Sequence, residues 1–193
     1  EKGMKSKKWT LLATSLTAMV LMAACAQSTT TSNTNATTNN ATTSTKANQT
    51  SYFTEKDYDT SYDESTASKI ELSGSSANVS GDGVTVSGST VTITKSGTYV
   101  ISGQSDGVQI KVEADKSVDV HLVLKGATMT NTNAAISATS AGHVYLTLAE
   151  GTTNSLSDSS SNSDEKADAA LFSKVDLTIN GKGTLNVDGK KNN

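Results

Sequence analysis

One two-part phrase returns along the chain, and it limits the fold more than any other feature. Its main part is a short run that alternates apolar and polar residues. Val120/Leu122/Leu124, Val144/Leu146/Leu148 and Val175/Leu177/Ile179 are the strong copies, with Val91/Ile93 as a weaker earlier one. Alternation of period two sets one row of side chains inside a strand's face and the other outside. A second part stands ahead of each strong run: GVQI (107–110), NAAI (133–136) and DAAL (168–171). A glycine follows each run within a few residues, at Gly97, Gly126, Gly151 and Gly181. The run ends lie 31, 24 and 31 residues apart. At about 3.3 Å per residue, three short strands and their turns need roughly that length to complete one coil. A sandwich would account for short strands but not for one phrase repeated three times, whereas stacked repeats account for both. The sequence is therefore read as all-β, a right-handed parallel β-helix (a solenoid). The composition agrees: 14 glycines, no proline and few aromatic residues suit many tight turns around a narrow, alanine-lined interior.

On this alignment the outward positions fall into rows. One reads Thr90, His121, Tyr145, Asp176, and the next Thr92, Val123, Thr147, Thr178. They form a face that is either bland or in contact with a polymer. Neutral glycans are held on aromatic platforms, and few aromatic side chains are available. Tyr145 is the best stacking candidate, with Asp176 beside it as a polar sugar contact. Tyr52, Phe53, Tyr58 and Tyr62 are read mainly as a cap over the first coil.

The segment ahead of the strands is of another kind. Lys5, Lys7 and Lys8 precede an apolar stretch from Thr10 to Ala24, too short for a comfortable membrane span. It ends in LMAAC (21–25), which is similar to a bacterial lipobox in which the cysteine is lipidated. Residues 4–24 are thus expected to be a lipoprotein signal peptide and Cys25 the lipidation site. The alternative is an ordinary secretory signal with Cys25 incidental. Cys25 is the only cysteine, so no intrachain disulfide can form. Residues 25–51 carry no apolar residue larger than Ala beyond the cysteine, and read as the lipid anchor and a disordered Thr/Ser/Asn-rich linker. The domain is assigned to 52–193. The expected location is the cell membrane, lipid-anchored and facing outward.

The net charge is −3, and loss of residues 1–24 makes it about −6. All 16 basic residues are lysines. An acidic chain without arginine argues against a nucleic-acid partner and leaves room for a divalent cation.

The most irregular stretch is SLSDSSSNSDEKADAALF (155–172). Asp158, Asn162, Asp164, Glu165 and Asp168 crowd oxygens into a flexible span, and calcium takes six to eight of them. The spacing is not that of an EF-hand. On the residues alone a solvated acidic loop is the reading to beat. Asn154, Asn180 and Asp188 are second candidates on neighbouring turns. His121 and His143 have no partner pattern for a metal, and the GKG at 181–183 lacks the length of a phosphate loop.

Five phrases together carry a family resemblance: YDESTASKIELSG (62–74), GDGVTVSGSTVTITKSGTYVISG (81–103), VHLVLKGATMT (120–130), AEGTTNSLSD (149–158) and ALFSKVDLTINGKGTLNVDG (170–189). In these, residues 57–193 resemble the bacterial carbohydrate-binding domain-containing proteins. The resemblance implies a calcium-binding parallel β-helix, with Ca2+ as cofactor, that binds acidic polysaccharide such as polygalacturonate, and cellulose. It does not say which residues hold the calcium. It also implies further coils beyond GKKNN (189–193), so the domain is expected to be truncated at its carboxyl end. A shared calcium ion would let an acidic protein grip a polyuronate. Two other classes stay open: a non-catalytic adhesin or biofilm-matrix protein, and a polysaccharide lyase or hydrolase. The chain is expected not to be an enzyme, since a lyase base is commonly Arg or Lys and no lysine is marked for that role. Lys166 and Lys174, beside the acidic segment, are the nearest to one.

Overall fold

A computed structural model describes residues 52–191, within the second of the two units into which the chain divides, Asn48–Asn193. The expected signal peptide, Cys25 and the linker lie outside the described residues. A single helical turn, α1 (Glu55–Tyr58), comes first. It is followed by β1 (Ser68–Gly74), β2 (Ser76–Ser80), β3 (Val84–Ser87), β4 (Thr90–Ile93), β5 (Gly97–Asp106), β6 (Gln109–Glu113) and β7 (Asp119–Thr130). Then come β8 (Ile136–Ser140), β9 (His143–Leu148), β10 (Thr153–Ser157), β11 (Leu171–Ser173), β12 (Asp176–Gly181) and β13 (Thr184–Asp188).

The strands wind into a parallel β-solenoid of about four turns. One sheet stacks β12, β9, β7, β5, β1 and β2 in that order, with β10 and β13 alongside. The other stacks β11, β8, β6, β4 and β3. Every pairing along the stack is parallel except the first in each sheet. There β2 and β3 fold back antiparallel on β1 and β4 and take the outermost place. The long strands β5 and β7 bend from one side of a coil to the next. The second half of β7 pairs with β10, and its first half with β9.

Side chains of like kind stack because each coil repeats the last. The inner column of the first sheet holds Ile101, Leu124 and Leu148 on successive rungs. The other sheet stacks Val91, Ile110, Ile136 and Leu171. That is the alignment that GVQI, NAAI and DAAL call for. Ile70, Ile93, Ile101, Ile110, Leu122, Leu124, Ile136 and Leu146 are fully buried. Each such side chain stabilises the fold by about 1.5–3 kcal/mol through burial alone. Tyr99 is the one large aromatic in this core, and its hydroxyl escapes to donate to the Lys95 carbonyl at 2.9 Å.

Three parts of the expected alignment are corrected. Val91 and Ile93 belong to the second sheet, and the earlier copy of Leu122/Leu124 is Tyr99/Ile101. The last copy is displaced by two residues: Leu177 stands opposite Val144 and Ile179 opposite Leu146. A slip of two leaves every side chain on its own face, so periodicity cannot detect it. The outward row through Tyr145 is consequently Thr98, His121, Tyr145, Thr178. Asp176 belongs to the row of Asp119 and His143.

The amino-terminal aromatics do not cap the first coil. Residues 54–67 run along the outer face of the first sheet, from the last coil to the first, as a strap. Asp57 meets Thr178 and Asn180 on β12, Tyr62 stands edge-on to His121 on β7, and Glu64 pairs with Lys125. Tyr52, Phe53 and Tyr58 are exposed. The strap covers Val100, Val123 and Ala149, which form a small apolar cluster with Tyr62 and Ala67.

Candidate functional site

The acidic segment hangs from the corner that follows β10. Its first residue, Asp158, is 1% exposed. Its place in the coil is that of Asn131 one coil earlier, since Ser157 pairs with Thr130. Both residues serve the corner. Asn131 donates to the Gly107 carbonyl at 2.7 Å, and Asp158 accepts the Lys190 N–H at 2.5 Å and the Asn162 amide at 3.3 Å. Asn162 is also buried, donates to the Ala167 carbonyl and accepts the Asp164 N–H. Asp164 accepts the N–H groups of Lys166 and Ala167 through one oxygen. Asp164 and Glu165 are exposed and Asp168 is half-buried.

The five expected calcium ligands lie in different surroundings. Two point inward and hold the loop's own shape, and two face solvent. Among the described residues, no three His, Cys, Asp or Glu side chains meet as a metal site would require. The second candidates are also engaged. Asn154, fully buried, accepts from the N–H groups of Gly126 and Ala127 and donates to Thr152 and the Thr184 carbonyl. It thereby ties three successive coils together. Asn180 donates to the carbonyls of Asp57 and Asp59, and Asp188 pairs with Lys190.

The outer face of the first sheet carries most of the remaining chemistry. Tyr145 is outward as expected but only 8% exposed, so it is no open platform. His143 stacks on one side of it, with ring centres 4.2 Å apart, and the Lys56 ammonium lies 4.8 Å over its ring. Lys56 also pairs with Asp119. Burial raises the Tyr145 hydroxyl's pKa. Asp176 is exposed, one rung beyond His143.

Two hydrogen-bond chains fix the strap. In one, His121 Nε2 meets Thr147 Oγ1 at 2.7 Å, and Thr147 donates to Asn180 Oδ1 at 2.6 Å. The Asn180 amide faces two carbonyls, which sets its orientation. Thr147 gives its only proton to Asn180, so His121 Nε2 must be the donor to Thr147. In the other chain His143 Nε2 meets Thr178 Oγ1, which donates to Asp57 Oδ1 at 2.5 Å. With bonds also from Thr54 N–H and hydroxyl, the Asp57 carboxyl is held down at about 2. Burial pushes the His121 imidazole below the ordinary histidine range, against the weaker pull of Asp59.

The strap leaves hollows along its sides. One, of about 160 Å³, lies among Lys56, Asp59, Thr98, Asp119, His121 and Tyr145. A larger one, of about 350 Å³, opens between Tyr62, Lys125, Thr147, Ala149, Glu150 and Lys182. Sequence reading missed the second because Tyr62 and Lys125 are brought together only by the strap.

The coils that bear these features fall within one family. The model of the carbohydrate-binding domain-containing proteins matches residues 87–193. The chain belongs to that family. A carbohydrate-binding domain-containing protein of Acetivibrio thermocellus is 39% identical over 106 residues, which are 52% of this chain and 37% of the relative. A solved polysaccharide lyase-like protein from C. thermocellum, in its gadolinium derivative, superposes with a TM-score of 0.59 at 37% identity. That match covers 62% of this chain and 51% of the solved one. This carbohydrate-binding domain thus spans about a third of the curated relative and half of the solved chain. The matched stretch includes the acidic segment and Lys125, Tyr145 and Lys182. The strap precedes it.

Proposed function

We propose that this protein binds an extracellular polysaccharide without cleaving it, with acidic polymers such as polygalacturonate preferred and cellulose as a further ligand. The observation that carries the reading is membership of the carbohydrate-binding family over the coils that bear the outer hollows. The lyase-like neighbour supports a polymeric sugar as the ligand class. Its likeness to lyases leaves catalysis as the second reading. Against that, the lysine nearest the smaller hollow, Lys56, is ion-paired to Asp119 and lies on Tyr145, a poor state for a base. The proposal includes attachment through Cys25 to the outer side of the cell membrane.

Calcium dependence is a finer part of the proposal. Asp164 and Glu165 offer solvent-facing carboxylates, too few to complete calcium's six to eight oxygens. A sugar carboxylate and water would have to supply the rest, so the ion would be held jointly with the polymer. Titration calorimetry of the full chain with polygalacturonate, with calcium and then with a chelator, tests both parts. The chelator is expected to weaken binding without abolishing it, and an affinity unchanged by the chelator sinks the calcium bridge. No binding to polygalacturonate, cellulose or a glycan array would move the weight to protein adhesion. Release of unsaturated uronides, followed by ultraviolet absorbance, would establish a lyase.

A further inference from the structure

We propose that the larger hollow beside the strap is a subsite that grips an acidic glycan directly through lysine, with no metal. It rests on the reading of the protein as a binder of acidic polysaccharide, and it names a site for that binding.

The site is built by the coil geometry. Leu124, Leu148 and Gly181 share one inner column. The residues after them turn outward at the corner as Lys125, Ala149 and Lys182. Rungs are about 4.8 Å apart, so the two lysines stand about 10 Å apart along the stack, with only a methyl group between them. That missing bulk is the hollow. Leu148 and Ala149, both nearly buried, form an apolar floor. Thr60, Thr147 and Thr152 stand at its edge, the last two with hydroxyls already bonded within the protein, and Tyr62 forms the wall on the strap side. Its volume, about 350 Å³, lies in the range of small-ligand clefts.

GKG (181–183) is the device that presents Lys182. Gly181 has φ +97° and presses on the Leu148 backbone, and Gly183 presses on Ala149. A Cβ at either position would strike a carbonyl of the coil below. The corner can close this tightly only with glycine on both sides, and the lysine between them projects from it.

Both lysines already hold carboxylates. Lys125 pairs with Glu64 at 2.6 Å and Lys182 with Glu150 at 3.6 Å. The four side chains are 42% exposed or more, and exposed pairs of this kind contribute little. A carboxylate on the ligand can take the glutamate's place without a buried charge being stranded. A third hollow, of about 180 Å³, shares Lys125 and continues past Lys69, with Glu64 and Glu71 also in its lining. Lys69, Lys125 and Lys182 thus follow one another along the stacking axis, on an otherwise acidic protein. The ligand that fits is a linear polymer bearing a carboxylate on each sugar. One ring lies on the apolar floor, and the carboxylates of the rings next to it meet the lysines at either side.

The experiment is calorimetry of the full chain with polygalacturonate in a chelator-containing buffer, repeated over rising salt. Lys125→Gln and Lys182→Gln are each expected to weaken binding roughly threefold to tenfold, and the double variant more. Glu64→Gln and Glu150→Gln, which free the lysines, are expected to tighten it, an effect that damage to the fold would not produce. Binding to cellulose is expected to stay unchanged, and melting temperatures to match the parent. Wild-type affinity in the double lysine variant overturns the subsite while leaving polysaccharide binding intact. Loss of binding by every chain in chelator, regained with calcium, overturns it in favour of the metal bridge. Failure of the parent to bind any acidic glycan, with or without calcium, overturns the reading beneath it. Equal lysine dependence with heparin and polygalacturonate upholds the subsite and broadens its ligand to acidic glycans generally.

Discussion

Asn154 and Asp158 show what single side chains do in a stack of short strands. Each corner leaves backbone N–H groups with no strand partner, and these two residues meet that need from inside the coil. Asn154 uses both its oxygen and its amide, across three coils. Replacing it by Ala removes four hydrogen bonds in a fully buried place. The expected loss is about 2–4 kcal/mol, read as a shift in the urea midpoint with an unchanged slope. Asp158→Ala is expected to cost about 1–3 kcal/mol for the same reason, with or without calcium in the buffer. A calcium-dependent stability loss at Asp158 would return it to the metal reading. The corner role was open to sequence reading in principle. Thr130-Asn131 and Ser157-Asp158 close matching strands, and a polar residue that recurs at a corner signals a backbone partner. The crowd of acids after Asp158 hid that signal, because it drew the residue into a loop where it only begins.

At the scale of elements, the strap is the feature with a titration of its own. Neutral His121 is favoured by burial, so its folded pKa lies below the ordinary value of 6.5. The unfolded chain then binds the proton more readily. The stability His121 lends is complete above 6.5 and declines as the pH falls towards the folded value. Asp57 acts in a lower window. Its bonds favour the carboxylate, so its contribution is complete above 3.8 and fades as the pH falls towards about 2. Melting curves taken downward from neutral pH should therefore fall in two steps, and His121→Gln should remove the upper one. A flat profile between pH 7 and 5 in the parent would contradict this account of His121. The strap itself could not be read from the sequence. Its bonds reach 61–123 residues along the chain, and most of them join polar side chains that carry no periodic signal. The coils could be read, because each is a local copy of the last. Even there, the two-residue slip of β12 passed unseen, since nothing in an alternating pattern fixes its phase beyond odd and even.

For the whole molecule, the architecture was within reach of the repeated phrase, and the family within reach of the five stretches that resemble it. The proposed binding surface was only half so: Lys125 and Lys182 sit in the repeats, but Tyr62 and Glu64 reach this face from the strap.

A linear array of coils should in general unfold piecemeal, since each repeat touches only its neighbours and either end can fray alone. Here the strap joins β12 directly to the segment that enters β1. Losing the coil of β12 therefore means losing the Asp57–Asn180 contact at the same moment, and with it the hold on the cover over Val100 and Val123. That closure couples β12 to β1 across the coils between them. Native-state hydrogen exchange should find the amides of β12 and β1 opening with one common free energy. In Asn180→Ala the β12 amides should exchange first and separately. A molecule built from local repeats would owe its all-or-none unfolding to fourteen residues that are not part of any repeat.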